Sequence, residues 1–128
     1  MEESNVSFQT LDWETDEMSN VAAGSDFDLV IAADCIYNSH LIPPLVSTLR
    51  DACMLRSTGA EEEDKEPALA LIAQQLRSDE VLEEFLKKFN KYFRIWRIPD
   101  ELLKGVKTGA GGLGEDSGFV LHIGILRE

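Results

Sequence analysis

The stretch DLVIAADCIY, residues 28–37, decides how this chain is read. Asp28 to Ala33 reads as a strand. Its apolar side chains do not alternate with polar ones, so both faces are expected to be buried, as in a parallel sheet covered by helices. The strand then offers a carboxylate, Asp34, and one turn later a phenol, Tyr37. Two roles are open to this pair. Asp34 caps the following helix and Tyr37 packs with its hydroxyl in water, or both line a crevice beyond the carboxyl end of the strand, where open α/β sheets bind ligands. Ala32 and Ala33 are small enough there to let a flat ligand approach the backbone.

Downstream, Ser39 to Arg56 reads as a helix with Leu41, Leu45, Leu49 and Cys53 on one face. Pro43 and Pro44 are tolerated only in a first turn, which places the helix start near Leu41. Residues 57–67, STGAEEEDKEP, form an acidic loop. Ala68 to Ala73 is a second buried strand, carried outward by Gln74 to Arg77. Ser78 caps a helix running from Asp79 to about Tyr92, acidic at its start and lysine-rich at its end, as the helix dipole favours. Glu83 with Lys87 and Glu84 with Lys88 are i, i+4 pairs, and Leu82, Phe85, Leu86 and Phe89 form the buried stripe. Phe93 to Ile98 alternates as a strand with one wetter face, Gly105 to Gly118 is a glycine-rich loop, and Phe119 to Leu126 is the closing strand. Upstream, Val6 to Thr10 is short and β-prone, and Glu14 to Asp26 is a polar loop. The order strand, strand, helix, strand, helix, strand, strand implies one α/β domain over residues 1–128 with an antiparallel pair at the end.

Bulk properties narrow the partners. The 128 residues carry a net charge of −12, which repels a phosphate backbone, so nucleic acid is not expected. The basic run Lys87, Lys88 and Lys91 lies among glutamates and reads as a helix face. No apolar run is long enough for a membrane span, and the acidic N-terminus has no apolar signal core. Cys35 and Cys53 show neither metal spacing nor a disulfide framework, which points to a reducing compartment. His40 reads as a helix-start residue and His122 as a sheet residue, so no metal set is expected.

Two motifs in the last loop have competing explanations. Gly109 to Gly114 matches G-x-G-x-x-G, but a dinucleotide cradle needs a strand before it and a helix N-terminus after it, and neither is expected here. Gly114-Glu115-Asp116-Ser117-Gly118 resembles a serine-protease nucleophile segment, without the histidine and aspartate settings that chemistry requires.

Leu11-Asp12-Trp13, followed by a polar stretch, DLVIAADCIY and the helix opening SHLIPPLVSTLR, is similar to the second half of the family-16 methyltransferases. These are small, seven-strand, S-adenosylmethionine-dependent enzymes that mostly methylate protein lysines. Their D-x-x-Y motif corresponds to Asp34-Cys35-Ile36-Tyr37. The resemblance implies that Trp13 lies along the adenine, that Ala33 touches the cofactor by its backbone, and that the catalytic pair Asp34 and Tyr37 lines the channel to the target amine. It implies the C-terminal half of a Rossmann-like sheet of order 3-2-1-4-5-7-6, with strands 3 to 7 supplied from Val6 onward and the last strand pair antiparallel. The glycine-rich loop that follows the family's first strand is absent, so the chain is expected to be a fragment that binds cofactor poorly alone. A protein substrate and a cytoplasmic or nuclear location follow from the same resemblance. The alternative is a catalytically inactive interaction module, or truncated isoform, built on the same half-fold.

Overall fold

The computed structural model describes residues 6–22, 25–36, 38–58, 66–75, 78–103, 107–108, 111–112 and 118–127. Among these, four strands make the main sheet: β1 (Leu29–Ala33), β2 (Leu69–Gln75), β3 (Phe93–Arg97) and, after two short strands, β6 (Phe119–Leu126). Their spatial order is β1-β2-β6-β3. β1 and β2 are parallel, with Leu29 opposite Leu69 and Ala33 opposite Ala73. β6 is antiparallel to both its neighbours, placing Ile72 and Arg97 beside His122, and Ala70 and Ile95 beside Gly124. The short strands β4 (Lys107–Thr108) and β5 (Gly111–Gly112) pair only with each other.

The helices are α1 (Met18–Ala22), α2 (Ile42–Met54), α3 (Asp79–Asn90) and α4 (Asp100–Leu103). Pro43 and Pro44 occupy the first turn of α2, where a missing N–H costs nothing, and a 3-10 turn, Ser39–Leu41, leads into it. Ser78 caps α3 by accepting from the Val81 N–H at 3.4 Å. Glu83 and Lys87 pair at 3.6 Å on its exposed face.

The core lies between one face of the sheet and the pair α2 and α3. Ile42, Leu45, Val46, Leu49 and Cys53 from α2 meet Ala32, Ala70 and Ile72 from the sheet. Phe85, Phe89 and Phe93 form a stacked column, with ring centroids 5.1 and 4.3 Å apart. Gly124 makes this column possible: a Cβ there would lie 2.5 Å from Phe89 Cζ. A side chain on β6 would therefore push the ring off the sheet.

Three expectations are corrected. Residues 14–26 are not all loop, since Met18–Ala22 forms α1 and buries Met18. Val6 to Thr10 is not a strand; it is irregular and exposed, with Phe8 95% accessible, because no neighbouring strand among the described residues offers it a ladder. Nor is β1 buried on both faces. Val30 and Ala32 turn toward α2, but Leu29, Ile31 and Ala33 are exposed. Both long helices lie on the same side of the sheet. The opposite face, bearing Leu29, Ile31, Leu69 and Trp96, is apolar and uncovered among the described residues. The observed class is thus a mixed α/β fold around a four-strand sheet. No described helix is long and apolar enough to cross a membrane.

Candidate functional site at the carboxyl end of β1

β1 and β2 end side by side, and the chain beyond β1 is fixed by a short set of hydrogen bonds. The Asp34 N–H donates to Ala73 O at 2.7 Å, extending the parallel ladder by one rung. Asp34 then takes φ 54°, the left-handed region that an L-residue enters at a cost and that aspartate tolerates better than most. This reversal lifts the chain off the sheet and leaves the Asp34 side chain half-buried at the strand end.

The reversal is held by Gln74. Its side chain is buried, an expensive position for an amide unless every polar atom is satisfied. The Gln74 Oε1 accepts from the Ile36 N–H at 3.0 Å. Its Nε2 donates to Ile36 O at 3.0 Å, to Asp34 Oδ1 at 3.1 Å and to Gln75 O at 3.2 Å. The amide thus pairs with both backbone groups of Ile36 as a peptide unit would. The same nitrogen fixes one oxygen of the Asp34 carboxylate. Ile36 itself is buried, so this turn is anchored on the core side as well.

Capping of the following helical segment falls to Asn38, whose Oδ1 accepts from the His40 N–H at 3.0 Å. Of the two roles open to Asp34, capping is therefore taken by another residue. Tyr37 lies outside the described residues. Ala33 is exposed at the strand end, and its carbonyl accepts from Cys35 Sγ at 3.5 Å. Burial raises the Cys35 thiol pKa, an effect increased by Asp34 and opposed by the bond to Ala33, so this cysteine stays protonated at neutral pH. Trp13 is partly buried against the same core cluster that contains Ala32 and Ile36. The site thus brings together Asp34, Ala33 and Gln74, while Trp13 packs on the core cluster without a contact among the described residues that ties it to them. Gln74, which holds the turn, is the residue that sequence reasoning missed; its one signal is a polar side chain closing the apolar run LALIA.

Other groups set the site's limits. Cys53 is buried and its thiol is pushed up to about 11, so it is a packing residue. His122 is buried in β6 with Nδ1 unpartnered; burial, and then Arg97, lower its pKa. No group of three His, Cys, Asp or Glu side chains among the described residues is arranged to hold a metal. The G-x-G-x-x-G candidate lies mostly outside the described residues. Its Gly111 and Gly112 sit in the short ladder with Lys107 and Thr108.

Residues 1–91 match the family described as lysine methyltransferase. The chain belongs to that family. It is also 33% identical over 93 residues to a protein of Schizosaccharomyces pombe (strain 972 / ATCC 24843) named diaminohydroxyphosphoribosylamino-pyrimidine deaminase. That match covers 72% of this chain and 20% of the relative, so the chain spans about a fifth of the relative's length. The family match runs through β1, the Asp34 turn, α2, β2 and α3, the segments that build the site.

Proposed function

We propose that the carboxyl end of β1 is the acceptor side of a methyl-transfer site, and that the reaction moves a methyl group from S-adenosylmethionine to a protein lysine amine. The observation that carries this reading is the Asp34 carboxylate, held in a left-handed turn by the buried Gln74 amide within a chain of this family. The strand order β1-β2-β6-β3 supports it, because it repeats the 4-5-7-6 half of the seven-strand order.

The residues present suit the cofactor on one side. Ala33 is small and exposed at a strand end and would lie against a flat group; Trp13 would supply an aromatic surface. S-adenosylmethionine supplies the electrophilic methyl carbon when bound. The rest of the task falls to the protein and concerns the amine. A lysine ammonium with a pKa near 10.4 must lose its proton before it can attack, which costs about 4 kcal/mol at pH 7.4. The Asp34 carboxylate attracts the ammonium to the strand end and orients it. That carboxylate favours the charged form, and partial desolvation of the site opposes it; once the proton has left to solvent, the oriented amine presents its lone pair to the methyl group. Tyr37 is the second residue we assign to excluding water from this channel. The acceptor is a protein side chain, and two free thiols support a reducing, cytoplasmic or nuclear location.

Incubation of the chain, joined to the glycine-rich half that the family's cofactor site requires, with radiolabelled S-adenosylmethionine and a protein extract, followed by mass mapping of labelled residues, tests the assignment. Methyl-lysine formation that falls by about 10²-fold in Asp34→Asn is expected. Equal transfer by that variant would remove Asp34 from the chemistry. Capture of an extract protein without any transfer would favour an interaction module on the same scaffold.

A further inference from the structure

At the end of the sheet away from Asp34, a cleft of about 840 Å³ wraps round the rim formed by the start of β3 and the end of β6. Arg50 of α2, Lys91 after α3, Arg94 of β3 and Arg127 after β6 all line it. None of the four is ion-paired with a carboxylate among the described residues. Arg127 is held in place by neutral acceptors, donating to Asn90 O at 2.9 Å and Asn90 Oδ1 at 2.8 Å. The Arg50 guanidinium lies 5.0 Å from the Tyr92 ring centroid, a neutral partner as well. Among the described residues their charges are thus positioned by neutral partners. Arg56, a fifth cation in the cleft, differs: it is paired with Asp26 and Asp28. The rim therefore gathers four cations that have no carboxylate ion-pair partner among the described residues, with Glu66 the one acidic residue of the cleft lining, in a chain that has 12 basic residues and a net charge of −12.

Apolar surface accompanies the charge. Tyr92 and Trp96 are 41% and 51% exposed, unusually open for side chains of their size, and both border the cleft. Leu126 and Ile125 form the apolar part of its wall. Cations beside exposed aromatic rings suit an anion that also carries apolar groups.

We propose that this cleft docks an acidic segment of a partner protein, one in which aspartates or glutamates are interspersed with leucine or aromatic residues. Two observations favour a peptide over other anions. The positive zone is confined to one rim, so a long phosphate polymer leaving it would meet the field of an acidic molecule. The cleft is also open along the sheet edge, with Trp96 and Arg94 on the uncovered face, a shape for a passing chain and not for an enclosed small molecule. The site lies at the other end of the strands from Asp34, so docking and the acceptor chemistry do not compete for space.

Fluorescence anisotropy with a labelled short peptide of alternating glutamate and leucine around one phenylalanine tests this on the whole chain. Saturable binding is expected, weakening as salt rises. It should fall by about tenfold or more in the double variant Lys91→Glu, Arg94→Glu, and fall separately in Trp96→Ala. These side chains are exposed, so circular dichroism should stay unchanged; Arg127→Gln serves if a β3 substitution disturbs the edge. Three results would each overturn the proposal: no saturable binding, binding indifferent to the charge reversals, or a single-stranded oligodeoxynucleotide competing as tightly as the peptide.

Discussion

Asp34 carries two demands that different substitutions separate. Its φ of 54° is a backbone demand, and its bond to Gln74 is a side-chain demand. Glycine meets the first and alanine meets neither, since an added Cβ is disfavoured in the left-handed region. Asp34→Gly should therefore be more stable than Asp34→Ala by about 1 kcal/mol in urea unfolding, while both lose methyl transfer. Equal stability would mean that the turn relaxes once the carboxylate is gone. Gly124 makes the opposite demand: its backbone is ordinary, and what it needs is space beneath Phe89. Gly124→Ala should cost about 1–3 kcal/mol, as overpacking does, and should weaken near-ultraviolet circular dichroism from the phenylalanine column. His122 adds a pH term. Burial holds it below its ordinary value of about 6.5, so in acid the unfolded chain binds a proton that the folded chain refuses. Its effect is absent well above pH 6.5 and grows as pH falls through that value. Melts between about pH 7.5 and 5 should show wild type losing stability more steeply than His122→Leu. A parallel loss in both would assign the acid sensitivity to other groups.

At the scale of elements, the helices and the central strands are legible because their periods are written in the chain. Prolines at the start of α2, the serine cap of α3 and the phenylalanine spacing along it each act within a few residues. What could not be read depends on partners far along the sequence. Val6 to Thr10 has strand-forming residues, but propensity says only what a segment favours once a ladder exists beside it. The apolar run in β1 signals two faces suited to burial, whereas actual burial depends on where the helices pack; Ile31 is 59% exposed. Asp34 stood out because an acid ending an apolar strand is conspicuous. Gln74 did not, because its contacts at Ile36 span 38 residues and no local pattern announces them. One prediction belongs here. β1 is an edge strand with exposed branched side chains, a template for unwanted pairing. Ile31→Lys should change unfolding free energy by less than about 0.5 kcal/mol and raise the concentration at which light scattering first reports aggregation. A large loss of stability would show that the uncovered face is packed in solution.

For the molecule as a whole, the order of strands in space departs from their order in the chain, and this has a consequence in time. β3 has one neighbour in the sheet, β6, and β6 also completes the far side of β2. During synthesis β1 and β2 can pair as soon as both have left the ribosome, and α2 and α3 can begin to cover them. β3 must wait, exposed at one edge, until residues 119–126 arrive to be threaded between it and β2. Of the four strands of this sheet, the latest in the chain is therefore an interior one, and its insertion is a non-local event, nearer in sequence to β3 than to β2. The antiparallel strand thus acts as a closing key: until residues 119–126 emerge, the nascent chain carries a gap in the middle of this sheet, an interval in which a chaperone has much to protect.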